Sequence, residues 1–416
     1  MVQKPWYKWV MLFLYCFLQW FGGSIWITYA SIAHRASSYY SQSIITINLF
    51  SLSFLILQLP MAPISSYLFH KSYYWTIMLA YIISIIGVWI RFAAGPIFGL
   101  ALFGQILVGA MNSMTLSGCS VLAALWFDET QRPIAVAVAS TSPLLGSAFG
   151  LVISPYYDSI EHLLLTQACY ATFAGILNVI FSRNKRDKVH IEGSYKIELK
   201  IAFEDKFMLA LIVLISAALG IAYALTGIIY QLLDPFGISE SQSGWIGFSM
   251  YIGGMIGGIL TSLVVLKTKN FINPMRIFAI ISITGCLVWS IILGDIYSDI
   301  IGSSITGFGL FGLMPLGIQA VVDQNKYVAE SITTNLVYLI AQGLSVVYTY
   351  PLIYCYRATT VSGMWLACVL CILVMGILLI IYRSSLIEKH KEINESFATS
   401  LKSVLVSSED MLQEVK

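Results

Sequence analysis

The chain has 416 residues, of which 58% are hydrophobic and 11% charged, and its formal net charge at pH 7 is +2. An ordinary soluble domain carries roughly 25% charged residues, so that class is excluded. The small net charge gives no electrostatic ground for a nucleic-acid partner.

Six apolar stretches run at 9–33, 44–69, 73–93, 97–126, 133–154 and 163–181, and six more at 207–233, 244–266, 274–294, 299–322, 327–353 and 361–382. Each can cross about 30 Å of hydrocarbon at about 1.5 Å per residue. They predict an all-α membrane protein of twelve transmembrane helices, spans 1 to 12 in chain order. The first is too long and too unlike a signal peptide to be cleaved. Of the 23 Lys and Arg residues, only Arg35, Arg91 and Arg357 fall in odd-numbered connections. Cytoplasmic connections collect Lys and Arg, so both termini are expected in the cytoplasm. The segment 183–206 is the longest and most basic connection. It separates a six-helix half at 1–182 from a second at 207–382, and a polar tail follows at 383–416. A 6+6 chain with a basic central loop is the layout of a major-facilitator transporter, whose halves face a midplane cavity.

In span 1, Trp26 lies 18 residues after Lys8; in span 7, Tyr223 lies 17 after Lys206. Those spans are counterparts, so both rings come roughly 25 Å from the cytoplasmic edge. Tyr29 is one turn beyond Trp26 and is expected to share its face. Span 4 carries Gln105 and Asn112, seven apart on one face, which read as polar packing. In span 5, Leu144 lies 12 residues after Arg132; in span 11, Gln342 lies 12 after Glu330, both at about 18 Å depth. Gln231 stands near the outer end of span 7, facing the interface or the solute path. The run Gly253 to Gly258 is inside span 8, where it reads as close helix packing; a phosphate loop would sit at a helix start. Pro143 and Pro315 each free a backbone carbonyl. Cys368 and Cys371, one turn apart on span 12, read as packing rather than a metal or redox pair.

No Asp, Glu, Lys or Arg is expected deep in a span. Asp158, Glu161, Asp234, Asp295 and Asp299 all flank the outer side, and the five His lie outside the spans. A midmembrane charge costs about 3 kcal/mol or more and marks ion relays. A cavity of aromatic faces, amides and hydroxyls is therefore expected. It suits a neutral solute, or a soft cation held at about 0.5–2 kcal/mol per ring. Proton coupling through a buried carboxylate is not expected. Enzyme chemistry is not expected either, and no cofactor or metal site. The partners expected are a small solute and the lipid bilayer, with a monomer as the working unit. A non-transporting receptor of the same fold is the rival from another class.

Several segments are similar to one family. Trp26-Ile27-Thr28-Tyr29-Ala30-Ser31-Ile32 resembles a W-I-x-Y-x-x-I stretch, and Trp126-Phe127-Asp128-Glu129 a W-F-x-x-E segment. The run from Gly307 to Gly317 resembles G-F-x-x-x-G-x-x-P-L-G. Ala341-Gln342 and Ala222-Tyr223-Ala224 with Gln231 complete an ordered set. The chain thus resembles the feline leukaemia virus subgroup C receptor-related transporters, a branch of the major facilitators. That resemblance implies carriage of choline or ethanolamine, with haem export or vitamin B6 transport as alternatives. It assigns Trp26 and Tyr223 to enclosing an ammonium and Gln342 to the polar end. It also implies a Gln where Leu144 stands, a departure, with Ser140 and Ser142 nearby. The connection between spans 2 and 3 lacks the Asp common in major facilitators. Gating is then expected to use Asp128, Glu129 and Arg132. A plasma membrane location is expected before an organelle.

Overall fold

The computed structural model describes residues 6–128, 131–184, 201–268, 271–322, 328, 330–358 and 362–381. Its described residues are all helix and connection. The long helices begin with Tyr7–Trp26, Leu49–Lys71, Tyr73–Ala93, Phe98–Thr115, Arg132–Ile153 and Ile160–Phe181. Lys206–Gly227, Glu240–Thr268, Ile272–Ile292, Ile296–Leu310, Glu330–Ala358 and Ser362–Ile381 follow. Eleven helical stretches are long and apolar enough to cross a membrane, and within the last helix the described apolar segment is Trp365–Val374. We call the face where span 1 begins the inner face.

Helix ends follow local chemistry. Ser72 alone joins spans 2 and 3, and its hydroxyl accepts the Trp75 N–H. Asp205 caps span 7 through the Met208 N–H at 3.0 Å, satisfying a donor the first turn leaves free. Gly294, at φ +117°, turns the chain after span 9 in a conformation that other residues rarely adopt.

Five spans are not continuous, which the apolar runs alone did not reveal; span 2 breaks near its outer end at Asn48, and the other four breaks fall deeper. Span 1 unwinds after Trp26, and Ile27 to Ile32 form turns before the short helix Ala33–Tyr40. Span 7 breaks at Ile228 before Ile229–Leu233. Span 4 breaks between Thr115 and Gly118, and span 10 between Leu310 and Leu313. Apart from that of span 2, the breaks come in matching pairs, 1 with 7 and 4 with 10. Broken helices are tolerated at membrane depth where the freed backbone is covered by protein.

Packing repeats in the same way. Span 1 packs on 5 as 7 packs on 11, span 2 on 4 as 8 on 10, and span 3 on 6 as 9 on 12. The first six spans meet the last six chiefly through spans 5 and 8 and spans 2 and 11. The glycines of span 8 pack as expected. A Cβ on Gly253 would lie 2.3 Å from the Ser304 carbonyl oxygen, and one on Gly257 2.5 Å from that of Phe308. Helices that share no hydrophobic drive within lipid gain from such backbone proximity. The perimeter presents Ile82, Ile86, Ile176, Ile259 and Leu263, all exposed, as a lipid-facing surface requires. Cys368 and Cys371 are buried in the packing of span 12.

Two charges depart from expectation. Arg91 and Asp299, read as outer connections, are both fully buried. Arg91 is still inside the last turn of span 3, and its stem lies against Gly104. Its guanidinium covers the Tyr29 ring at 5.5 Å and donates to Gln167 at 3.2 Å. Asp299 is in the first turn of span 10 and accepts from the Trp289 indole (3.0 Å) and the Gly294 N–H. Counting residues between apolar runs places a charge along the chain; neighbouring helices decide whether water reaches it.

Candidate functional site

A narrow cavity of about 40 Å³ lies between the two sets of six spans, smaller than an open small-molecule site. Spans 1, 2, 4 and 5 wall one side, and spans 7, 10 and 11 the other. Trp26, Tyr223 and Gln342 all line it, together with Leu144. No Asp, Glu, Lys, Arg or His is among its lining residues. Arg91 and Asp299 lie elsewhere.

Span 1 ends its helix at Trp26, which places that ring at the top of the span beside the break. The indole N–H donates to Ser147 Oγ at 2.7 Å. The Ser147 hydroxyl in turn faces the carbonyls of Pro143 (2.9 Å) and Gly23 (3.1 Å). This chain of bonds fixes the ring's orientation, so its face need not be ordered when a solute arrives. Tyr223 meets Trp26 edge-to-face, with centroids 6.0 Å apart and planes at 89°. Behind it, Phe311 at the span 10 break stands 5.7 Å from Tyr223 and stacks on Tyr251 at 4.9 Å. The two rings form the corner of a box rather than parallel plates.

The amides of Gln342 and Asn112 complete the polar lining. Gln342 Oε1 and Asn112 Oδ1 are buried and have no hydrogen-bond partner. Asn112 was read from the sequence as polar packing with Gln105; its side chain lies against Gly22 of span 1 and also lines the cavity, while Gln105 donates to the carbonyls of Ile25 and Phe50. Ser147 was missed altogether. A serine one turn after Pro143 on an apolar helix carries no signal beyond ordinary helix back-bonding.

Tyr29 and Gln231 do not line this cavity. Tyr29 would share the Trp26 face on a continuous helix, but the chain unwinds between them. Its ring lies 4.4 Å from Phe50, and its hydroxyl is hydrogen-bonded to that of Tyr40 at 2.9 Å. Gln231 forms a reciprocal amide pair with Asn48, at 2.5 and 3.2 Å, from one half to the other near the outer face. Beside it, Arg35 pairs with Glu240 at 2.8 Å, and its guanidinium also donates to the carbonyls of Tyr157 and Pro155. Trp245 donates to the Tyr156 hydroxyl in the same layer. These contacts close the outer side over the cavity. On the inner side Asp128 pairs with Lys8, at 3.4 Å, inside one half, while Glu129 lies outside the described residues.

The sequence profile of the Major Facilitator Superfamily matches residues 9–347. The chain belongs to the Major Facilitator Superfamily. This is a family of transporters, not of enzymes, and the chain is a multi-pass integral membrane protein. A choline/ethanolamine transporter, FLVCR1 of Mus musculus, is 24% identical over 78% of this chain and 65% of its own length. The human choline/ethanolamine transporter FLVCR2 is 22% identical over 78% of this chain and 67% of its own. An uncharacterized MFS-type transporter of Caenorhabditis elegans, C09D4.1, is 24% identical over 82% and 63%. The chain thus spans under two thirds of the length of the first relatives it matches. The resemblance read from the motifs is to the same group. Among solved structures, the fucose:proton symporter FucP of Escherichia coli superimposes with a TM-score of 0.63 at 12% identity, over 89% of this chain and 97% of that one. The fold is therefore that of a major facilitator.

One expected result arises from the outer layer. Glu240→Gln should open the outer side more often, raising the labelling rate of a Leu144→Cys probe by an impermeant thiol reagent. The pair's side chains are 34% and 17% exposed, so solvent screening holds the effect to roughly two- to five-fold. An unchanged rate removes the pair from the gate.

Proposed function

We propose that this chain carries a small choline- or ethanolamine-like organic cation by facilitated alternating access, without proton coupling. The observation that carries the reading is the charge-free cavity in which Trp26 and Tyr223, one from each half, present aromatic surface beside the Gln342 amide. A quaternary ammonium cannot accept or donate a hydrogen bond, so ring faces are its natural contact, at about 0.5–2 kcal/mol each. The amide takes the solute's polar end. Ring contacts from both halves mean that the solute holds them together, and the outer layer of Arg35, Glu240, Asn48 and Gln231 parts when the path opens outward. The distant likeness to choline/ethanolamine transporters supports the same solute class. A haem site would want an axial His or Cys, and none lines the cavity.

The polypeptide works as a monomer in the plasma membrane with both termini in the cytoplasm. Uptake of labelled choline into proteoliposomes tests the reading. An inside-negative potential of about 100 mV is worth about 2.3 kcal/mol per charge, roughly 50-fold accumulation. A pH gradient with no potential should drive none, because no carboxylate lines the cavity. Accumulation on the pH gradient alone refutes the uncoupled mechanism, and binding without flux makes the protein a receptor.

A further inference from the structure

Span 2 carries a buried amide that nothing above uses. Gln58 is fully buried, and neither its Nε2 nor its Oε1 has a hydrogen-bond partner. An amide kept to tie helices together is bonded to a neighbour, as Gln105 is through its nitrogen to two carbonyls, although its oxygen has no partner. Burying a donor and an acceptor with neither bond made is unfavourable. Packing therefore gives no account of why a glutamine stands here rather than a leucine.

Its position gives one. Phe54 and Leu55, one turn earlier on span 2, line the cavity, and Gln58 follows them just outside its lining. Gln58 is 13 residues before Lys71, where its helix ends, and Gln342 is 12 after Glu330, where its helix begins. At 1.5 Å per residue the two amides stand about 20 and 18 Å above the inner ends of helices that pack on each other. They are thus level, one in each half, and Gln342 also has an unpartnered oxygen. The span 5 wall is apolar at Leu144, and the hydroxyl of Ser147 beside it is already engaged with Trp26 and two carbonyls.

We propose that Gln58 is a second polar arm of the solute site, which with Gln342 reads the hydroxyl of a small hydroxylated ammonium solute. This rests on the cation reading above. A hydroxyl offers one donor and two acceptor positions, and an amide offers both kinds of partner. A half-turn of either amide exchanges its oxygen and nitrogen, so the pair can serve the hydroxyl in either sense. The solute supplies the partner that Gln58 lacks in the outward-closed protein.

The test compares choline with ethyltrimethylammonium, which has the same charged end and no hydroxyl, binding to the purified full chain. Gln58→Met keeps the volume and removes the amide. Choline should bind about ten-fold more weakly and the analogue within about two-fold of its wild-type value, the size of one net hydrogen bond. The unfolding temperature should not fall, since no native hydrogen bond is lost. Equal weakening of both ligands, or of neither, overturns the proposal. If Gln58→Met cannot be recovered folded, Gln58→Asn withdraws the amide by one methylene and should give the same selective loss; an unchanged choline preference overturns the idea. Choline binding that is absent, or indifferent to Trp26→Ala, defeats the cation reading and this proposal together. Loss in Trp26→Ala with none in Gln58→Met defeats this proposal alone.

Discussion

Trp26→Ala is expected to lower choline affinity by about 10- to 30-fold, toward the upper end of what one ring face contributes. The ring is 7% exposed, with its N–H bound to Ser147, so the change also leaves a hole. Truncating a buried aromatic costs about 3–5 kcal/mol in soluble cores, and some loss of thermal stability should accompany it. Trp26→Phe separates the two effects. It keeps an aromatic face, loses only the bond to Ser147, and should retain binding within about five-fold, or about 1 kcal/mol. The uncharged carbon isostere of choline supplies the second arm of the test. Wild type should prefer choline to it, and Trp26→Ala should erase most of that preference. A folded Trp26→Ala protein with wild-type choline affinity, measured by calorimetry, ends the aromatic-box account.

Gly307→Val should have the largest effect on folding. A Cβ at Gly307 would lie 1.9 Å from the Met250 carbonyl oxygen, closer than any side chain can approach, and the obstacle is backbone. Spans 8 and 10 would have to separate along their whole contact, where Gly253 and Gly257 already bring them together. The cost should reach at least about 3 kcal/mol, the upper part of the range for overpacked cores. It is read as a lowered unfolding temperature in detergent, or as failure to accumulate folded protein. Gly343→Ala is the control. Nothing lies within 4 Å of its added Cβ, so the helix should gain up to about 1 kcal/mol from the better helix former. Equal behaviour of the two variants would falsify the close-packing role.

Much of the fold was legible. Apolar runs of membrane-crossing length specify helices directly, because lipid leaves the backbone no other way to satisfy its N–H and C=O groups. The equal depths of Trp26 and Tyr223 were readable by counting from the basic ends of spans 1 and 7, and the two rings do meet. Gln342 was visible as an amide in an apolar helix. Counting failed where the helix did not continue. Tyr29 shares the Trp26 face only on an unbroken helix, and nothing in Ile27-Thr28 announces the break. Gln231 and Asn48 are 183 residues apart in sequence, and no local pattern pairs them. Asn112 was read as polar packing; only the tertiary structure put it in the cavity wall with an unpartnered oxygen.

The sequence by itself determined the class, the number of spans and the neutral chemistry available to a solute, because the bilayer filters residues by polarity one position at a time. Tertiary structure decided which of those neutral groups face one another. Two aromatic rings and an amide from distant spans line one cavity only through the packing of the helices, and a buried polar group's neighbours are known only from the fold.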